Sequence, residues 1–324
     1  MIDTLQRELS FDSCSGNERI SVRIVEPADR FQVRAVLQIA HGMAEHSLLY
    51  MDFAAYMASR GFAVAVNDHL GHGKSVSSGG AYGYFGPGGC QSMVTDMHKL
   101  SYLMKLDYPG LPYFLMGHSM GSFLARSYTA QYGNELAGVI YLGTGAGPGP
   151  LMLKAQLAFA NGVVKKKGPL AHDPMFMKLS TGQFNKAFAP NRTENDWLSR
   201  DEKEVDRYTN DPLCGFSLTV SGYRDILALE SEINQSGWYR AVPDLPILIA
   251  SGDKDPVGDF GKGARKVAVG LKKTGRNVTL KLYPGARHVL LCETNKDEVY
   301  ADIAGFLESI LSPEEIGEGE ENDG

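Results

Sequence analysis

Short apolar segments alternate with segments of helical periodicity along most of the chain, and eight of the apolar segments are predicted to be strands. Polar and apolar positions alternate in the second strand, whereas the later strands are continuously apolar. The predicted strands cover residues 5–11, 18–26, 33–42, 62–68, 113–119, 136–144, 245–252 and 277–285. Helices are predicted at residues 48–60, 91–106, 120–132, 259–273 and 297–311. This alternation is typical of an α/β fold with an eight-stranded, mostly parallel sheet covered on both faces by helices.

The middle of the chain has a different pattern. A Gly/Pro-rich break at residues 143–152 is followed by helical patterns without a convincing buried strand. We predict a core domain formed by residues 1–145 and 243–312, and a helical cap formed by residues 146–242. The last twelve residues, 313–324, hold six acidic and no basic residues and are predicted to be a disordered tail.

The composition is that of an ordinary globular protein: 43% of the 324 residues are hydrophobic, 22% are charged, and the net charge is −6. The absence of a basic stripe argues against a nucleic-acid partner. The four cysteines form no C-x-x-C pair, which favours free thiols in a reducing compartment. Neither a signal peptide nor an apolar window of roughly 18 residues is evident, so we expect a cytoplasmic protein.

The motif Gly117-His118-Ser119-Met120-Gly121 joins a predicted strand to a predicted helix. In this setting G-x-S-x-G is typical of a nucleophile elbow, in which small residues allow a sharp turn and the serine hydroxyl is held clear of the sheet. The alternative is a tight turn in which Ser119 only caps the helix. The position between strand and helix favours Ser119 as a nucleophile.

A serine nucleophile needs a base, and the chain has eight histidines. His118 is excluded because neighbouring side chains of an extended strand point to opposite faces. His288 follows the last predicted strand, at the carboxyl edge of the sheet, from which it can reach Ser119. We therefore predict that His288 is the base. The remaining histidines lie in other loops, in the insertion or within a helical pattern.

Two carboxylates, Asp253 and Asp255, follow the penultimate strand and are candidates to orient the imidazole. Asp255 is preferred because it lies farther beyond the strand and precedes Pro256, which stiffens the turn; Asp253 stays an alternative. The order Ser119, Asp255, His288 is that of α/β-hydrolases and differs from the order in other serine-hydrolase folds.

An oxyanion hole requires two backbone N–H groups. Met120 follows the nucleophile directly, and Met43 lies in the loop after the third strand, where such folds place the second donor. In the same loop, His41 and His46 are expected to form hydrogen bonds that stabilise the loop.

Two other motifs resemble a phosphate-binding loop and a metal-binding pair, but neither matches the pattern that such a site requires. Gly73-Lys74-Ser75 resembles the end of a phosphate-binding loop, but the glycine required five residues earlier is Asp68. His69 and His72 resemble a metal-binding pair, but no helix carries them and no acidic third ligand has suitable spacing. We therefore expect neither a cofactor nor a metal.

The motifs HGMAEH, DHLGHGKS, GHSMG, SGDKDPVG and GARH together resemble those of α/β-hydrolases of the monoacylglycerol lipase and lysophospholipase type, often described as serine aminopeptidase S33-like. They span most of the chain outside the predicted cap and tail. The resemblance implies Ser119, Asp255 and His288 as the catalytic triad and the N–H groups of Met43 and Met120 as the oxyanion hole. It also implies that the helical insertion covers the site.

The predicted function is a serine carboxylic ester hydrolase that acts through an acyl-enzyme on monoacylglycerol, lysophospholipid or a similar small lipid ester. Apolar residues in the stretch 151–159 suit an acyl chain, or else they pack the cap onto the core. The expected partners are a small ester with an apolar acyl group and a membrane surface touched transiently by the cap. An aminopeptidase that uses Glu194, Glu202 or Glu204 to hold an amine is one alternative, and a binding protein without catalysis is another.

Overall fold

The computed structural model describes residues 2–16, 18–179 and 181–312. It contains eight strands in one sheet, with the order β1-β2-β4-β3-β5-β6-β7-β8. The strands are β1 (Thr4–Asp12), β2 (Arg19–Pro27), β3 (Ala35–Ala40), β4 (Phe62–Asn67), β5 (Tyr113–His118), β6 (Gly138–Leu142), β7 (Ile247–Gly252) and β8 (Val278–Tyr283). The pairs β1–β2 and β2–β4 are antiparallel, and the other five pairs are parallel. The predicted eight-stranded, mostly parallel sheet is confirmed.

Helices cover both faces of the sheet. The helices of the described residues, including those of the insertion, are α1 (Met51–Ala58), α2 (Gly89–Asp107), α3 (Met120–Tyr132), α4 (Pro150–Lys167), α5 (Pro174–Leu179), α6 (Glu202–Asn210), α7 (Val220–Ile233), α8 (Ser236–Ala241), α9 (Lys262–Lys273) and α10 (Lys296–Leu311). The helix predicted at 48–60 begins as a 3₁₀ turn, Ser47–Tyr50, and continues as α1. The strand predicted at 136–144 is shorter, because the chain turns at Gly143, whose φ is +57°.

Two apolar layers explain why the central strands are continuously hydrophobic. Val36 of β3 faces the layer that contains residues of α2, α3, α7 and α9. The next residue, Leu37, faces the layer that contains residues of α1 and α10. All six residues of β3 are buried, and five of them are apolar. The exception is Gln38, whose side-chain amide donates to the Met97 carbonyl and accepts from the Tyr113 hydroxyl. By contrast, β1 lies at the edge of the sheet and is mostly exposed.

The strand order decides where a site can form. From β3 the chain proceeds to β4 on one side and later to β5 on the other, so β3 marks a topological switch point. Loops at the carboxyl ends of β3 and β5 therefore lie side by side, which is where open α/β sheets bind ligands. Ser119 follows β5, and the loop that contains Met43 follows β3.

Residues 146–242 lie between β6 and β7 and contain α4 to α8, and their described part has no strand. The indole N–H of Trp238 in α8 donates to the carbonyl of Arg126 in α3 at 2.7 Å, which ties the end of this insertion to the core. Among the described helices, none is long and apolar enough to cross a membrane. The predicted disordered tail, 313–324, lies outside the described residues.

Candidate active site

Ser119 occupies a strained turn between β5 and α3. Its φ is +53° and its ψ is −121°, a conformation that residues other than glycine rarely adopt. The flanking glycines permit this turn, because a Cβ at Gly117 would lie 2.2 Å from the carbonyl oxygen of Gly121. A Cβ at Gly121 would lie 2.0 Å from the carbonyl oxygen of Ala40. The G-x-S-x-G spacing is therefore a steric requirement of this turn, which exposes Ser119 at the end of the sheet.

His288 and Asp255 are in contact, as predicted. The Nδ1 atom of His288 lies 2.9 Å from Oδ1 of Asp255, and the side chains are 2% and 0% exposed. Asp255 Oδ1 also accepts a hydrogen bond from the Val257 N–H at 2.9 Å. The alternative carboxylate, Asp253, instead accepts from the N–H of Gly285 at 2.8 Å. The geometry therefore favours Asp255 over Asp253 as the partner of His288.

Ser119 and His288 line one cavity of about 1060 Å³. No direct hydrogen bond joins their side chains in the described structure. Such bonds are often long in ligand-free sites and shorten when a substrate is bound. Asp255 holds the Nδ1 edge of the imidazole, which leaves Nε2 as the atom able to accept a proton.

The two predicted oxyanion donors line the same cavity. Met120 is the first residue of α3, so its N–H has no partner within the helix. Met43 belongs to the loop after β3, which lies close to the nucleophile: a Cβ at Gly42 would be 3.1 Å from Cβ of Ser119. In the described part of the chain, neither methionine N–H donates to a backbone carbonyl. Both groups are thus available to a ligand oxygen.

A buried polar cluster beneath this loop was not predicted. Glu45 accepts hydrogen bonds from the Gly42 N–H and the Tyr50 hydroxyl, and its Oε1 lies 3.2 Å from Nδ1 of His118. All four residues are buried. The cluster fixes the loop that carries Met43 and gives His118 a structural partner. The motif HGMAEH contained the residue, but a contact between positions 73 residues apart has no local signal.

Burial raises the pKa of the Glu45 carboxyl, but the charge interaction and hydrogen bond with His118, together with the hydrogen bond from Tyr50, outweigh it and lower the pKa to about 2. The folded-state pKa is below its ordinary value of 4.5, so ionised Glu45 stabilises the fold above pH 4.5. This contribution is lost as the pH falls from about 4.5 to about 2.

As the pH falls from about 4.5 to about 2, the free energy of unfolding should decrease less in the Glu45→Gln variant than in the wild type. We expect the two decreases to differ by about 3 kcal/mol. Urea denaturation at several pH values measures the difference. The control is Asp244→Asn, which alters an exposed carboxylate and should leave the pH dependence unchanged. Equal pH dependence in Glu45→Gln and the wild type would contradict the role assigned to Glu45.

The loop histidines form the hydrogen bonds expected of them. His41 Nδ1 lies 2.7 Å from the carbonyl oxygen of Gly42, and its Nε2 accepts from the His69 N–H at 2.9 Å. His72 Nε2 accepts from the Ala44 N–H at 3.1 Å. His46 Nε2 lies 2.9 Å from Oδ2 of Asp211, which connects the β3 loop to the insertion. The structural role predicted for His41 and His46 is confirmed.

One group of three potential metal ligands occurs in the described residues: His46, Asp211 and Cys214, whose ligand atoms lie within 4.8 Å of one another. Burial raises the pKa of the Cys214 thiol well above its usual range, and nearby Asp211 raises it further.

The lining of the cavity can be divided by chain segment into two parts of different composition. One is largely apolar and is lined by side chains of α3, α4, α5 and α7, namely Phe123, Phe159, Phe176, Tyr223, Ile226 and Leu227. The other comes from residues 182–198 and combines polar side chains (Asn185, Asn191, Glu194 and Asn195) with Phe184, Trp197 and Leu198. Trp197 of this second part contacts His288, with ring centroids 5.1 Å apart.

Some of the residues that the sequence indicated as candidates for substrate binding line the cavity, and others do not. In the apolar stretch 151–159, Gln156 and Phe159 line the cavity, whereas Leu153 is buried and Leu151 is exposed. Among the acidic residues considered for binding an amine, Glu194 lines the cavity and is exposed. The other two, Glu202 and Glu204, are not among the residues that line it.

The sheet, the strained serine turn and the cavity at the switch point define an α/β-hydrolase. The chain belongs to the serine aminopeptidase S33 family, whose model matches residues 32–295. The human monoglyceride lipase is 32% identical and covers 79% of this chain and 76% of its own length. A monoacylglycerol lipase of Mycolicibacterium smegmatis is 28% identical over 96% of this chain and 100% of its own length.

Among solved structures, a thermostable carboxyl esterase from Bacillus coagulans has a TM-score of 0.89 and is 33% identical. The match covers 95% of this chain and 99% of that one. These comparisons confirm the family resemblance, and the protein is a hydrolase of the serine-hydrolase type.

Proposed function

We propose that this protein is a serine carboxylic ester hydrolase that cleaves monoacylglycerol or a similar small lipid ester. The observation that carries this proposal is the juxtaposition of Ser119, in its strained turn, with the His288–Asp255 pair at one large, partly apolar cavity. The relatives named monoglyceride lipase and monoacylglycerol lipase support the substrate class. The Bacillus coagulans esterase, whose structure contains glycerol, is consistent with a small alcohol product.

In the proposed mechanism, Oγ of Ser119 attacks the ester carbonyl carbon while Nε2 of His288 takes the hydroxyl proton. The carbonyl oxygen becomes an oxyanion and accepts hydrogen bonds from the N–H groups of Met43 and Met120. Asp255 keeps the proton on Nδ1 and stabilises the imidazolium.

The tetrahedral intermediate then collapses. The bond from carbon to the alcohol oxygen breaks, and the imidazolium gives its proton to the leaving alkoxide. An ester of Ser119 with the acyl group remains. Water, deprotonated by His288, attacks this acyl-enzyme and releases the carboxylic acid and the free serine hydroxyl.

The two parts of the cavity suit the two parts of such a substrate. The alcohol leaves next to His288, so we assign the polar part near Trp197 to the alcohol and the apolar part to the acyl group. The insertion supplies much of both linings, which supports its role as a cap formed by residues 146–242. Its exposed Leu151, Met152 and Met175 suit transient contact with a lipid surface.

The test is a substrate panel assayed with the purified protein. It contains p-nitrophenyl esters of increasing acyl length, monoacylglycerol and lysophosphatidylcholine in vesicles, and amino-acid p-nitroanilides. We expect hydrolysis of the simple esters and of monoacylglycerol, because the site has an apolar acyl part and a polar alcohol part. Cleavage of the p-nitroanilides without any ester cleavage would instead identify an aminopeptidase. No turnover of any substrate would favour a binding protein.

A further inference from the structure

One face of α7 lines the acyl part of the cavity and ends in a carboxylate. Tyr223, Ile226, Leu227 and Glu230 all line the cavity, and their spacing of i, i+3, i+4 and i+7 places them on a single helix face. Glu230 lies two turns, about 10 Å, beyond Tyr223 along the helix axis. An apolar face is therefore closed at one end by an acidic side chain.

The Glu230 carboxylate has no hydrogen bond or ion pair with any described residue. It is packed beside the chain that follows β6: a Cβ at Gly147 would lie 3.3 Å from Glu230 Oε2 and 3.4 Å from a methyl group of Leu153. Burial raises the pKa of this carboxyl to about 7, against the opposing effect of the positive charge of Arg126. An unpartnered carboxylate that faces a cavity leaves its hydrogen-bonding capacity to a ligand or to water.

Arg126 is near Glu230 but is bound elsewhere. Its guanidinium is fully buried and donates to the carbonyl oxygens of Gly145 and Ile233 and to the side chain of Asn234. Arg126 lies three residues after Phe123 on α3, but it is not among the residues that line the cavity. This fixed positive charge disfavours a cationic ligand group at Glu230 and favours a neutral donor.

We propose that Glu230 is a specificity-determining residue at the end of the acyl pocket, where it accepts a hydrogen bond from a hydroxyl group on the acyl chain. The inference rests on the proposed ester hydrolase function and adds a preference for hydroxylated over saturated acyl chains. A saturated chain of the same length would strip water from the carboxylate without replacing its hydrogen bonds. A hydroxylated chain would restore one of those bonds.

The experiment compares kcat/KM for p-nitrophenyl alkanoates of four to ten carbons with that for the matching ω-hydroxyalkanoates and ω-aminoalkanoates. In the wild type we expect the hydroxylated ester to exceed the saturated one by about tenfold at the chain length that reaches Glu230. The amino ester should not be preferred over the saturated ester, because the positive charge of Arg126 disfavours the protonated amine. Glu230→Met should abolish the preference, and Glu230→Gln, which keeps an acceptor, should retain most of it.

The matched control is Glu232→Met, which removes an exposed carboxylate of the same helix that is not among the residues lining the cavity. It should keep the wild-type preference. Each comparison uses a ratio of two esters on one variant, so changes in overall rate cancel. Circular dichroism checks that each variant is folded.

The assay results that would overturn this inference differ from those that would overturn the proposed function. If the wild type does not hydrolyse even p-nitrophenyl acetate, which is too short to reach Glu230, the ester hydrolase proposal is wrong. If it hydrolyses the esters but shows no hydroxyl preference, or Glu230→Met retains that preference, the assignment of Glu230 is overturned. A preference for the amino ester would likewise overturn it.

Discussion

The Ser119→Ala variant is expected to lose ester hydrolysis by a factor of about 10⁴ or more while remaining folded. The reason is that the attacking oxygen is removed, whereas the Met43 and Met120 N–H groups and the cavity stay in place. Replacement by alanine keeps a Cβ and leaves the strained turn intact. The measurement is kcat/KM with a p-nitrophenyl ester, together with labelling by a fluorophosphonate that reacts with activated serines.

Ser122→Ala is the matched control for this experiment. Ser122 lies three residues farther along α3, and its hydroxyl donates to the carbonyl oxygen of Ser119 at 2.6 Å. It should remain active and should still react with the fluorophosphonate. Retained ester turnover or retained labelling in Ser119→Ala would show that Ser119 is not the nucleophile.

The Asp255→Asn variant is expected to lower kcat on the order of 10³- to 10⁴-fold. The carboxylate accepts a hydrogen bond from the Nδ1–H group of His288, whereas an asparagine that presents its NH₂ group would favour the opposite tautomer, with the proton on Nε2. That tautomer is unable to take the proton from Ser119. The substitution is nearly isosteric, so steady-state kinetics should report the change without loss of the fold.

Asp253→Asn tests the alternative carboxylate in the same loop. Asp253 accepts from the N–H of Gly285, and asparagine keeps an oxygen able to accept that bond. We expect kcat to stay within about tenfold of the wild type. If Asp253→Asn were the more damaging of the two substitutions, the assignment of Asp255 as the orienting residue would be wrong.

The sheet was predictable because its signals are local. A strand buried on both faces is apolar at nearly every position, as β3 is except for Gln38 and β4 is except for its last residue, Asn67, and each such run stands out from the helical periods beside it. The serine turn is also local, because Gly117 and Gly121 are required by atoms within a few residues or on the adjoining strand. The order of the three predicted catalytic residues along the chain indicated the superfamily before any contact was known.

The buried cluster around Glu45 was not predictable in this way. Its contact with His118 joins residues 73 positions apart, and it forms because β3 and β5 are neighbours in the sheet. The role of Glu230 was hidden for a related reason. An acidic residue in a helical pattern is typical of an exposed face, and only the packing of α7 over the cavity gives it a different environment.

The class of fold, the serine turn and the residues at the carboxyl edge of the sheet follow from the amino-acid order alone, because they depend on local periodicity, on the steric needs of single positions and on chain order. Three other features follow from the three-dimensional packing: the carboxylate that contacts His288, the charges buried beneath the β3 loop, and the residues of 146–242 that line the cavity. Those outcomes depend on distances between segments far apart in the chain, and such distances leave no trace in the spacing of residues within either segment.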